Sequence, residues 1–228
     1  MNPAQIQPTE QPRHRHWRNQ PLAIRKFLGQ GRSGSCWLVE ENPGHPVVLK
    51  EMHDGPNGEG KPAQKLADEI QVHRRLLSLG IPTPVLHDYD VPTHSLLKEF
   101  IDGEVASSLI ANGKVPDEAI ASLFAMADVA SDHHCNLDYH PSNFVIRGTE
   151  IYYIDYELTP YREERNLRNW GIFLWANPVA MRQFIATGND GASPLDSKIT
   201  SVSAVREITE RVRRWLLQHD QSEALFPG

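Results

Sequence analysis

Asn136-Leu137-Asp138-Tyr139-His140-Pro141-Ser142-Asn143-Phe144-Val145-Ile146, followed by Ile151-Tyr152-Tyr153-Ile154-Asp155-Tyr156-Glu157, sets the fold expectation for the chain. Asp138 and Asn143 stand five positions apart in a segment of turn-forming residues. A short apolar run follows, then the polar turn Arg147-Gly148-Thr149-Glu150, then a second apolar run ending at Asp155. The pattern predicts two short strands joined by a hairpin. That hairpin brings Asn143 and Asp155 side by side, with Asp138 close by. Two oxygen ligands beside a separate carboxylate is the set that magnesium-assisted phosphoryl transfer needs.

Asp-x-x-x-x-Asn followed by Asp-Tyr-Glu resembles the catalytic loop and metal-binding motif of the protein-kinase-like superfamily. The nearest likeness is to its small atypical bacterial members, of the RIO, Bud32 and lipopolysaccharide-kinase types, and to aminoglycoside phosphotransferases. The usual motifs read His-Arg-Asp or His-Gly-Asp, and Asp-Phe-Gly. Here they read Asn136-Leu137-Asp138 and Asp155-Tyr156-Glu157. The resemblance implies an α+β, bilobal fold. An antiparallel N-terminal sheet with one helix would be followed by a reduced, mainly helical C-terminal lobe. It divides the chain into a mobile tail (1–20), a nucleotide-binding lobe (21–100) and a lobe carrying the catalytic loop, metal site and helices (101–228).

Gly29-Gln30-Gly31-Arg32-Ser33-Gly34 is a Gly-x-Gly-x-x-Gly run, a weak signal by itself. A dinucleotide site needs a helix after the glycines. The glycines here run into Ser35-Cys36-Trp37-Leu38-Val39, which favours a strand. Strand, glycine turn and strand make a hairpin whose backbone N–H groups can approach phosphates with no Cβ in the way. The bland alternative is a flexible turn. Val47-Val48-Leu49-Lys50 resembles the kinase strand that ends in the phosphate-holding lysine. On that likeness Lys50 grips the nucleotide, and Cys36 and Val48 pack on the adenine.

A helix is predicted over residues 62–79, with Pro62 in its first turn and Gly80 past its end. Leu66, Ile70, His73 and Leu77 mark its apolar face, widened by Leu76. The family pairs a glutamate of this helix with the strand lysine. Glu69 fits that role, with Asp68 as its rival. Strands are expected over 85–89 and 95–100. Glu99-Phe100-Ile101 resembles the kinase hinge, where the carbonyl of Glu99 and the N–H of Ile101 would meet the adenine edge. Lys98 would stand at the back of that pocket.

A helix opening at Pro116-Asp117-Glu118 turns Ala119, Ile120, Leu123, Phe124, Ala127 and Ala130 inward. His133-His134-Cys135 invites a zinc reading. Adjacent ligands splay apart and no second pair stands at finger spacing, so helix-end packing is the better account. Only 73 residues follow Asp155, too few for a large peptide platform, and no Ala-Pro-Glu motif occurs. Residues 161–175 are expected to enter a helix with Trp170 and Trp175 as core anchors. An amphipathic helix is expected over 202–217.

The net charge of −6 implies no bulk attraction to nucleic acid. No apolar run approaches the roughly 18 residues of a membrane span. Two cysteines, Cys36 and Cys135, make no disulfide framework, and a cytoplasmic location is the default expectation. Arg13-His14-Arg15-His16-Trp17-Arg18 is a basic patch in the leader that could meet a phosphate-bearing partner, though a solvated leader is the simpler reading.

The resemblance implies a kinase that uses ATP and Mg²⁺ to phosphorylate a hydroxyl. Asp138 would orient the acceptor and take its proton, while Asn143 and Asp155 would hold the metal. Lys50, braced by Glu69, would hold the phosphates. His140 would touch the transferring phosphate or cap the loop. The first expectation is an atypical serine/threonine protein kinase. The alternatives are a small-molecule kinase of sugar or aminoglycoside type, and an ATP-binding regulator or ATPase working with a partner protein.

Overall fold

The computed structural model describes residues 14–18, 20–31, 33–42, 44–54, 60–188 and 198–219. They divide into two compact units. One holds the described residues up to Asp68 together with Val85–Phe100. The other holds Glu69–Pro84 and the described residues from Ile101 onward. The chain is α+β.

The first unit is built on one antiparallel sheet of six strands. These are β1 (His14–Trp17), β2 (Gln20–Gln30), β3 (Gly34–Asn42), β4 (His45–Met52), β5 (Leu86–Asp90) and β6 (Ser95–Glu99), in the order β1-β2-β3-β4-β6-β5. Aromatic and β-branched residues fill one pleated face. Trp37 stands opposite Leu49, and Leu49 opposite Leu97. With Trp17, Leu22, Val39 and Val47 they form a buried cluster, and the rings of Phe27 and Trp37 lie 4.6 Å apart. Each large apolar side chain buried this way contributes roughly 1.5–3 kcal/mol. The sheet curls until its two edge strands meet. Arg18, just past β1, donates to Asp88 Oδ1 at 3.0 Å and to the Tyr89 carbonyl at 3.1 Å on β5.

The mobile leader expected over residues 1–20 is therefore corrected from His14 onward; residues 1–13 lie outside the described residues. His14–Trp17 is an edge strand because Trp17 has a core to enter. A four-residue strand is too short for its alternation to be read from sequence. The basic patch is engaged within the unit. The Arg15 guanidinium sits 4.1 Å over the Trp37 ring and 3.5 Å from Glu51, and Arg18 is bound by Asp88. Arg13 lies outside the described residues.

Helix α1 (Pro62–Ser78) follows the predicted span. Its buried stripe is Leu66, Glu69, Ile70, His73 and Leu76, while Leu77 is 55% exposed. That corrects the expected face at one position: the 3.6-residue period places Leu77 beside Ile70 and His73, yet it is exposed and Leu76, at the edge of the stripe, is buried instead.

In the second unit α2 (Ala106–Ala111), α3 (Asp117–Asp132), α4 (Ile172–Trp175), α5 (Pro178–Thr187) and α6 (Lys198–His219) accompany two small sheets. One has the order β10-β9-β7, from β7 (Glu104–Val105), β9 (Phe144–Arg147) and β10 (Glu150–Tyr153). The other pairs β8 (Cys135–Leu137) with β11 (Leu158–Pro160). All six residues expected to line the inner face of α3 are buried. Their cluster also takes in Leu76, Ile81, Phe144, Ile151, Tyr153 and Trp175. Trp170 packs against that cluster only partly buried. The run before α4 is a widened turn over Leu167–Gly171, capped by Asn166, whose side chain accepts the N–H of Asn169 at 2.8 Å. Among the described residues no helix is long and apolar enough to cross a membrane.

Candidate active site

Asp138 is the first residue past β8. Its Oδ1 accepts the N–H of His140 at 3.2 Å, a local turn that short acidic side chains favour. The His140 carbonyl accepts the N–H of Asn143 at 2.9 Å and closes a single tight turn over Pro141–Asn143. Pro141 opens that turn, where its fixed φ suits and no N–H is needed. The imidazole caps the same turn. Nδ1 accepts the N–H of Ser142 at 3.3 Å and lies 2.7 Å from Ser142 Oγ. A backbone N–H can only donate, so Nδ1 is the acceptor in that bond. His140 is thus a loop cap, with its ring 4.6 Å from that of Phe184.

Asn143 leads into β9, and β9 pairs with β10 in the expected hairpin, Phe144 opposite Tyr153. Gly148 makes the turn with φ of +64°, a value that suits glycine. The pairing carries past the strand ends. The Asn143 carbonyl accepts the N–H of Ile154 at 2.8 Å and that of Asp155 at 3.5 Å. The Asn143 amide group donates to the Asp138 carbonyl at 3.4 Å. Asp138, Asn143 and Asp155 are therefore gathered by one short piece of backbone.

Two buried aromatics fix this piece. The phenol of Tyr153 accepts the N–H of Asp138 and the N–H of Glu157, each at 2.9 Å, and donates to the Glu157 carbonyl at 3.0 Å. Burial pushes the phenol's pKa well above the usual tyrosine value. Trp175 donates its indole N–H to the Tyr139 carbonyl at 2.8 Å. Gly171 backs the same residue, and a Cβ there would lie 2.5 Å from the Cβ of Tyr139. The sequence reading assigns no role to Tyr153 or Gly171. The available signal was strand alternation: it turns Ile151 and Tyr153 inward, and a buried tyrosine hydroxyl needs a partner.

Glu69 is 8% exposed on α1, whereas Asp68 points outward and takes a hydrogen bond from Gln64 at 2.7 Å. One turn on from Glu69, buried His73 has its ring 5.8 Å from that of Tyr156 and its Nε2 3.0 Å from the Pro84 carbonyl. The helix face that carries Glu69 thus turns toward the segment that carries Asp155. Ile101 is buried in the same unit.

In the first unit the glycine hairpin forms as expected. The Gly31 N–H donates to the Gly34 carbonyl at 2.9 Å, and Gly29 stands opposite Cys36. A Cβ on Gly34 would meet the Glu51 carbonyl oxygen at 2.5 Å, so only glycine fits there. Cys36 stands opposite Lys50, and Lys50 opposite Leu96; Val48 stands opposite Lys98. Paired and alternate residues share a face. Cys36, Val48, Lys50 and Lys98 therefore lie together on the face opposite the tryptophan cluster. Lys50 is only 3% exposed. The Glu99 carboxylate accepts the N–H of Val85 at 3.1 Å.

Among the described residues no three His, Cys, Asp or Glu side chains gather as a metal site. His133 caps the end of α3 and Cys135 opens β8. Mg²⁺ asks for less than an all-protein cage. It takes one or two side-chain oxygens and completes its shell with water and phosphate. The Asn143 amide oxygen and the Asp155 carboxylate, held by adjacent backbone, fit that demand. Compared with models of known protein families and with curated proteins, the chain matches none.

Proposed function

We propose that this chain is an ATP-dependent phosphotransferase of protein-kinase-like type, acting first as an atypical serine/threonine kinase. The observation that carries the reading is the clasp of Asn143 on Ile154 and Asp155, made on the same backbone that presents Asp138. It gives a carboxylate for the acceptor and two oxygen ligands for a metal. The buried Lys50, on one sheet face with Cys36 and Val48, supports the reading from the first unit.

In this reading Asp138 orients the acceptor hydroxyl and receives its proton; position matters more than basicity. Asn143 and Asp155 would hold Mg²⁺, which when bound neutralises charge on the phosphate oxygens. Lys50 holds phosphate oxygens by charge-assisted hydrogen bonds. The glycine hairpin offers backbone N–H groups to the same anion. His140 shapes the turn that presents Asn143.

The test follows the label of γ-labelled ATP, with Mg²⁺, with the protein alone and with cell extract. Label in this protein or in other proteins, lost with Asp138→Ala, supports the protein-kinase reading. Label in small metabolites alone moves the acceptor to a small molecule. Free phosphate without transfer makes the chain an ATPase, and no consumption of ATP ends the proposal.

A further inference from the structure

We infer that Tyr153 is a positioning residue of this site, one whose buried phenol sets Asp138 in register with the Asp155-Tyr156-Glu157 segment. The inference rests on the phosphotransferase reading and adds a residue that reading does not use. A phenol has one proton to donate and lone pairs to accept. The Tyr153 proton goes to the Glu157 carbonyl, and the oxygen takes the N–H groups of Asp138 and Glu157, all within 2.9–3.0 Å. A single oxygen thereby joins the residue that would act as base to the stretch that would bind metal.

The ring cannot drift. Phe144 stacks on it at 4.8 Å and Tyr156 meets it edge-on at 6.1 Å. Phe144 follows Asn143 and Tyr156 follows Asp155, so the neighbours of both candidate metal ligands clamp the same ring. Its strand is fixed too, since the Tyr153 N–H donates to the Pro82 carbonyl at 2.9 Å. Phenylalanine would fill nearly the same volume. What the hydroxyl adds is the link between the two segments.

Reacting groups held about 1 Å out of place lose on the order of 10²-fold in rate. Tyr153→Phe is therefore expected to lower kcat per folded molecule roughly 10- to 100-fold, with KM for ATP nearly unchanged. Amide exchange should rise together in residues 136–140 and 155–158. Ile120→Ala, a truncation in the α3 core, is the stability control: it should lose melting temperature and keep kcat. Should Tyr153→Phe fail to fold, a fluorinated tyrosine at position 153, a weaker acceptor, should still lower kcat. A kcat equal to wild type in the folded variant, or a fall matched by the Ile120→Ala control, overturns the inference. Absence of ATP turnover by the wild type overturns the reading beneath it as well, and that outcome is told apart by the wild-type assay alone.

Discussion

The carbonyl of Asn143 accepts the N–H of Ile154 at 2.8 Å and that of Asp155 at 3.5 Å, so the backbones of Asn143 and Asp155 lie side by side. A hairpin's pairing has been extended one step past its strands to bring together the two residues proposed to hold the metal. Asp155→Asn keeps the backbone bond and removes the charge. We expect it to raise the Mg²⁺ concentration for half-maximal ATP turnover by about tenfold or more, an effect of the size seen when metal-site partners are altered. The check is a Mg²⁺ titration at fixed ATP; an unchanged half-point would remove Asp155 from the metal role.

Glu69 and Asp68 are adjacent acids with opposite surroundings. Glu69→Gln should lower turnover at least about tenfold by removing a buried charge. Asp68→Asn should leave turnover as it is, since that carboxylate is exposed and takes a surface hydrogen bond from Gln64. Steady-state kinetics on the pair decide the assignment; equal losses would contradict it.

Gly171 allows the close approach of the turn before α4 to Tyr139. Gly171→Ala places a Cβ 2.5 Å from that of Tyr139 and 3.0 Å from its Cγ. Backbone must shift, at a cost of about 1–3 kcal/mol. Because Tyr139 follows Asp138, turnover should fall further than stability alone explains. Denaturant unfolding, with activity measured far below the transition, separates the two effects.

Alkaline pH should weaken the fold. Burial raises the pKa values of both Tyr139 and Tyr153 above the ordinary value of 10.0. A raised folded pKa means that the folded state keeps its proton after the unfolded chain has lost it. Stability is then fully present below about pH 10 and falls as pH rises beyond it, by up to about 1.4 kcal/mol per pH unit for each phenol. Unfolding midpoints from pH 8 to 11 test this, and Tyr139→Phe should flatten the slope by one phenol's share.

Much of the fold could be read from local pattern. The polar turn between two apolar runs predicts the β9–β10 hairpin, and the glycines before Cys36 predict the β2–β3 hairpin. Pro62 and Gly80 bracket α1. What local pattern missed depends on partners far along the chain. Arg15 and Arg18 look like a solvated patch until Trp37, Asp88 and the curl of the sheet are known. β11 has too few residues to announce itself before β8 is there to pair with it. Tyr153 reads as an ordinary strand residue because its hydroxyl bonds to backbone N–H and C=O groups, which no sequence displays. The acids of the proposed site can be singled out from sequence because their chemistry sits in their side chains; the backbone atoms that hold Asp138 and Asp155 in place cannot.

The most direct test measures Mg·ATP binding and γ-phosphate turnover side by side, for the wild type and for Asp138→Ala. The account predicts that both proteins bind Mg·ATP with similar affinity and that only the wild type moves the γ-phosphate. A wild type that fails to bind Mg·ATP, or an Asp138→Ala variant that turns it over at the wild-type rate, would contradict it.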